Sequence, residues 1–216
     1  VKIGIVGGTG EIGEGLAMRL APRHDVVIGS REAEKASASS TECMGILRGR
    51  GTPCVLRGVT NQEAVDHGEV VILAIPFTHL AATVSALTGM EKKVVISPVN
   101  PMQRSDIFFF DPPPEGSAAL LLQKLLPPGT RICTAFNNVA ANRWRALDQT
   151  LDYSVAVCGD DAGARQVVRG VVESVPNLKA FDAGPLRVSP MIEAITPLLL
   201  NIARHSKMKD VGIQFR

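Results

Sequence analysis

No charge of one sign dominates this sequence. Its 23 Lys and Arg stand against 21 Asp and Glu, a net charge of +2, too small a positive field to expect nucleic acid as a partner. Long apolar runs are also missing. No window approaches the roughly 18 consecutive apolar residues that a membrane span requires, so no membrane association is expected. The opening VKIGIVGG carries one Lys and then a short apolar run into glycines. That reads as a buried strand, too short for a signal peptide, and a cytoplasmic location follows as the expectation. The cysteines Cys43, Cys54, Cys133 and Cys158 form no C-x-x-C pair and read as free thiols in a reducing compartment. His24, His67, His79 and His205 have no ligand spacing with each other or with cysteine, so no metal site is expected.

What is present is a rhythm. Short, β-branched runs recur at 2–6, 25–29, 53–57, 70–75, 93–98, 130–136, 153–159 and 178–183. They are nearly continuous in apolarity, as strands buried on both faces should be. Between them, segments such as EIGEGLAMRLA and AGARQVVRGVVESV place apolar residues at helical spacing. The alternation predicts an α/β fold: a Rossmann-type doubly wound, mostly parallel sheet with a small helical C-terminal domain. The expected division is 1–184 for the nucleotide-binding domain and 185–216 for the C-terminal segment. Two stretches break the rhythm. Residues 99–117 hold three consecutive Phe and three consecutive Pro and predict a loop without regular structure. From Ala183 the tail reads as one long apolar helix kinked at Pro197, then a short terminal strand.

The first run ends at Gly7, and Gly8-Thr9-Gly10-Glu11-Ile12-Gly13 follows, a G-x-G-x-x-G opening a helical pattern. In that position the motif is a dinucleotide loop. Gly8 makes the turn, Gly10 admits the pyrophosphate, and Gly13 lets helix pack on strand. The helix N-terminus offers free N–H groups to the phosphates. The residue that reads the adenosine ribose should lie about 20 positions on, where a carboxylate would select NAD. The chain has Ser30 and then Arg31, with Lys35 four residues later and Thr9 in the loop. A hydroxyl and two cations suit a 2′-phosphate, so the expected cofactor is NADP.

In doubly wound sheets the ligand lies outside the carboxyl ends of the strands. That places Ile75 and Pro76, Val99, and the AFNNVAA stretch with Asn137, Asn138, Val139 and Ala141 around the nicotinamide, with His79 in the next helical turn. The chain has no Y-x-x-x-K helix, no Lys/Asp couple at a strand end and no G-x-S-x-G, so no catalytic residue is assigned. A carbonyl or imine reductase needs a proton donor. Hydride transfer between two stacked heterocycles needs mainly proximity and orientation.

The stretches GGTGEIGEGLAMRLA, IGSREAEKA, AIPFTHL, AFNNVAA, VCGDD, DAGPL and EAITPLLLNIA…VGIQF resemble, in order and over nearly the whole chain, the archaeal NADPH-dependent coenzyme F-420 reductases. The resemblance implies a homodimer with small-molecule redox partners. It also implies reversible hydride transfer between C5 of the deazaflavin of coenzyme F-420 and C4 of the nicotinamide, with no protein group bonded to either. It puts the 2′-phosphate residues on Thr9, Ser30, Arg31 and Lys35. The deazaflavin pocket falls on Pro76, on Asn137 to Val139, and on the tail near Thr196. Asn137, Pro190 and Ala194 depart from the family pattern. Two alternatives remain at this level: another NADP-dependent reductase on the same scaffold, acting on a flavin, a metal chelate, an imine or a ketone, and a non-catalytic NADP-binding module.

Overall fold

Successive residues of the central strands are buried on opposite sides of one sheet, as the unbroken apolar runs require. In β4 (Val70–Leu73), Val70 and Ile72 join one core while Val71 and Leu73 join the other. β5 (Val94–Ser97) repeats the division, with Val94 and Ile96 on one side and Val95 on the other. The computed structural model describes residues 1–216. It adds β1 (Lys2–Val6), β2 (Asp25–Ser30), β3 (Leu56–Thr60), β8 (Arg131–Thr134), β9 (Ser154–Gly159) and β10 (Lys179–Gly184), giving an eight-stranded sheet of order β10-β9-β8-β5-β4-β1-β2-β3. All neighbouring pairs are parallel except β8 and β9. The Rossmann-type, mostly parallel sheet is therefore present.

Helices cover both faces. On the first lie α1 (Glu11–Leu20), α2 (Ala33–Gly49), α6 (Ala141–Arg145) and α7 (Ala162–Glu173), which supply Leu16, Leu47, Trp144 and Val168 to that core. On the second lie α3 (Asn61–His67), α4 (Phe77–Ser85) and α5 (Ala118–Leu125), which supply Val65, Leu80 and Leu122. Each such side chain withdraws apolar area worth about 1.5–3 kcal/mol. Gly15 on α1 is required by packing, because a Cβ there would lie 2.3 Å from Cβ of Trp144.

Three expectations need correction. Residues 99–117 do contain regular structure: β6 (Met102–Arg104) and β7 (Phe108–Phe110) form an antiparallel hairpin, which stops just before Pro112. The prolines end the hairpin without preventing it, because they lie beyond its last paired residue. The tail is not one helix kinked at Pro197. A short 3-10 turn (Leu186–Val188), α8 (Ser189–Glu193) and α9 (Ile195–His205) succeed one another, and the break is at Ala194. Pro197 sits in the first turn of α9, where its missing N–H has no intrahelical partner to lose. There is also no terminal strand. Residues 211–216 are irregular, with one backbone bond from Ser154 N to Ile213 O (2.8 Å). By length and composition alone, Leu186–His205 could cross a membrane. It is divided into three pieces, and its Leu186 and Ile192 join the second core.

Candidate functional site

The dinucleotide loop lies at the carboxyl end of β1. Gly7 has φ +70, the left-handed region that favours glycine. Its N–H donates to Oδ1 of Asn61 (3.0 Å), while Gly8 N donates to Gly29 O (2.8 Å). The glycines that follow are needed for different reasons. A Cβ on Gly13 would lie 2.4 Å from Cα of Gly8, so this contact between helix and loop admits no side chain. A Cβ on Gly10 would meet nothing within 4 Å. Protein packing therefore gives no reason for glycine at position 10, whereas close approach by a pyrophosphate does.

Two cavities flank this loop. One, of about 620 Å³, is lined by Thr9, Ser30, Arg31, Lys35 and His79 among others. Ser30 is the last residue of β2 and is mostly buried; its Oγ accepts from Glu32 N (3.3 Å). Arg31 stands in the turn before α2 and Lys35 in its first turn, so the two cations come from a turn and a helix and do not share one helix face. Both line the same cavity and neither forms a salt bridge with a carboxylate. Glu32 lines the cavity as well, so one carboxylate faces two cations that it does not pair with, and a bound anion would complete the charge balance. These residues fit the 2′-phosphate of NADP.

The second cavity, of about 450 Å³, is more apolar. Gly10, Glu11, Ile12 and Gly13 form one side, and Phe77, Val99, Met102 and Ala141 contribute others. Gly7, Ala74, Ile75 and Pro76 line both cavities, so the two share a floor. Glu11, exposed at the start of α1, is the one ionisable residue lining the second cavity. The slot contains no Tyr, Lys or His, and its apolar walls suit planar rings.

Asn137, Val139 and Thr196 line neither cavity, and neither does Gly8, which lies under Gly13. Val139 is buried in the first core. Asn137, only 2% exposed, belongs to a polar joint behind the apolar cavity. Its Nδ2 donates to Val99 O (3.1 Å) and to Oδ1 of Asn100 (3.1 Å). Asn100 Nδ2 donates in return to Asn137 O (2.9 Å) and to Oγ1 of Thr196 (3.0 Å), and Thr196 Oγ1 also donates to Asn137 O. Asn137 Oδ1 has no partner. The joint ties the ends of β5 and β8 to the first turn of α9. Sequence reading missed Asn100; its only signal was its place in SPVNP, three residues beyond the paired end of β5. Asn61 was missed as well, although it opens α3 directly beyond β3.

A buried carboxylate was also missed. Glu193, at the end of α8, is fully buried and accepts from the N–H groups of Ala118 (2.7 Å) and Ala119 (3.0 Å) at the start of α5. Burial pushes its pKa up to about 7, outweighing the two N–H bonds that favour the charged form. All four cysteines are free. Burial raises each thiol, that of Cys43 to about 11 and that of Cys133 to about 12, so none is a ready nucleophile.

The family described as NADP oxidoreductase coenzyme F420-dependent matches residues 2–101. The "F420-dependent NADP reductase" of Methanocaldococcus jannaschii is 36% identical over 221 residues, covering 99% of this chain and 97% of that protein. The chain belongs to the F420-dependent NADP reductase family. The reductase of that name from Methanothermobacter thermautotrophicus is 34% identical, covering 99% of this chain and 94% of that protein. Among solved structures, a putative F420-dependent NADP-reductase from Arthrobacter sp. FB24 shares the fold, with TM-score 0.79 at 21% identity, over 100% of this chain and 99% of that one. The family match ends at residue 101, directly before the hairpin, whereas the full-length relatives extend through the tail.

Proposed function

We infer that this protein is an F420-dependent NADP reductase, catalysing reversible hydride transfer between coenzyme F-420 and NADP. The observation that carries this reading is the shared floor. A cation-lined cavity and an apolar slot without Tyr, Lys or His lie against the same four residues, Gly7, Ala74, Ile75 and Pro76. When bound, the nicotinamide and the deazaflavin supply the chemistry, a hydride exchanged between C4 of one ring and C5 of the other.

The chain's own residues bind, orient and exclude water. Thr9, Ser30, Arg31 and Lys35 hold the 2′-phosphate. Gly10, with the N–H groups of Glu11 and Ile12, receives the pyrophosphate at the N-terminus of α1, while Gly8 and Gly13 let loop and helix pack closely enough to form that site. His79, in the lining of the cation-lined cavity, contacts the phosphates. Ile75, Pro76, Val99 and Ala141 wall the rings and keep water from them. Asn137, Val139 and Thr196 support that wall from behind. In this reading residues 1–184 bind NADP, and 185–216 complete the deazaflavin pocket and the contact between two subunits. The homodimer is supported by the exposed apolar face of the tail, where Met191 is 73% and Leu198 57% exposed. A single monomeric species in sedimentation at micromolar concentration would remove it.

Orientation without acid–base chemistry disfavours imine or ketone reduction, in which the product needs a proton. The direct test mixes the protein with NADPH and oxidised F-420 and follows the deazaflavin absorbance. Bleaching is expected. Turnover with free flavins or imines and none with F-420 would transfer the protein to another reaction.

A further inference from the structure

Of the two stretches that break the sequence rhythm, the one that forms the hairpin β6–β7 has no part in nucleotide binding or in the contact between subunits. It begins where the lining of the apolar cavity ends: Pro98, Val99 and Asn100 line the slot, and Met102, the first residue of β6, lines it too. Its base is closed by Asp111 N donating to Pro101 O (3.0 Å). Three residues per strand is too short to hold a hairpin in place in water, so something outside it must. That support comes from α9. The Asn201 side chain accepts from Phe108 N (2.9 Å) and donates to Phe108 O (2.6 Å), pairing with both backbone groups as a neighbouring strand would. One turn further on, Arg204 donates to Asp106 O at the hairpin tip. Phe108 pairs across the hairpin with Arg104, two residues from Met102.

We propose that Asn201 is a positioning residue for the second substrate: its paired bonds to Phe108 fix the hairpin on α9 and thereby hold Met102 in the wall of the ring slot. The proposal rests on the reading of that slot as the site of F-420. A side-chain amide suits the task because it presents one donor and one acceptor in the spacing of a peptide group. Asn201 itself lines neither cavity, so its effect on turnover must pass through the hairpin.

The test is a double-mutant cycle of Asn201→Ala and Met102→Ala, with KM for F-420, kcat, and NADPH affinity measured for each protein. Losing two backbone-directed hydrogen bonds should raise KM for F-420 roughly tenfold, leaving NADPH affinity within about twofold. The pair should be non-additive, because removing Met102 takes away what the bracket positions. Trypsin cleavage after the exposed Arg104 should accelerate in Asn201→Ala and stay near wild type in Met102→Ala. Additive effects, or faster cleavage with unchanged KM, overturn the inference. So does a loss of NADPH affinity parallel to the change in KM, which would mean that Asn201 serves general stability. If the wild type binds NADPH but leaves F-420 oxidised, the reading of the slot fails first and the inference falls with it.

Discussion

Arg31 and Lys35 line the cation-lined cavity without a salt bridge to any carboxylate, and Ser30 sits mostly buried at its edge. Replacing Arg31 with Ala should weaken NADP binding by roughly a hundredfold and NAD binding only slightly, because a charge-assisted contact to the 2′-phosphate is lost and NAD has no such group. Titration of both nucleotides by fluorescence checks it; equal losses would misplace the 2′-phosphate. Glu193 makes a different prediction. Its folded pKa of about 7 exceeds the ordinary value of 4.5, so the native state binds the extra proton between those values. Its contribution is fully present below about pH 4.5 and is lost as pH rises to about 7, on the order of 3 kcal/mol in the limit. Urea midpoints measured from pH 4.5 to 7.5 should fall with that slope in the wild type and lose it in Glu193→Gln. A residue of this kind is hard to read from sequence, since one Glu in an apolar tail looks like a surface position until the partner N–H groups, some 75 residues away, are known.

At the scale of elements, the dinucleotide loop separates folding from binding. Gly13→Ala sets a Cβ against backbone and should cost roughly 3 kcal/mol of stability along with the site. Gly10→Ala meets no protein atom, so melting should stay near wild type while NADPH affinity collapses. Differential scanning fluorimetry beside NADPH titration distinguishes the two; a Gly10 variant that binds normally would mean the open space belongs to no ligand. The loop, the strand ends and Ser30 to Lys35 were legible because each depends on short-range pattern: a glycine spacing, an apolar run, a residue about one βαβ half-unit on. The hairpin was not. Its three-residue strands carry no usable period, and its anchor is Asn201, 93 residues from Phe108. The joint of Asn100, Asn137 and Thr196 escaped for the same reason: it links residues up to 96 positions apart, and Asn137 and Thr196 stand behind the apolar cavity without lining it. The break at Ala194 was assigned to Pro197 because proline is the conspicuous breaker, although the first turn of a helix tolerates it.

Across the whole molecule, the tail joins the second core through Leu186 and Ile192, and Thr196 ties it by one polar joint to the ends of β5 and β8 behind the apolar cavity. The common floor of Gly7, Ala74, Ile75 and Pro76 has a kinetic meaning. The four cysteine thiols are held neutral by burial, and no cysteine lines the slot to store reducing equivalents between visits. Donor and acceptor must therefore occupy the protein together. Initial rates should give intersecting double-reciprocal lines, the mark of a ternary complex, and never the parallel lines of a ping-pong cycle. With NADPH deuterated on the transferred side, the label should appear in reduced F-420 without dilution by solvent.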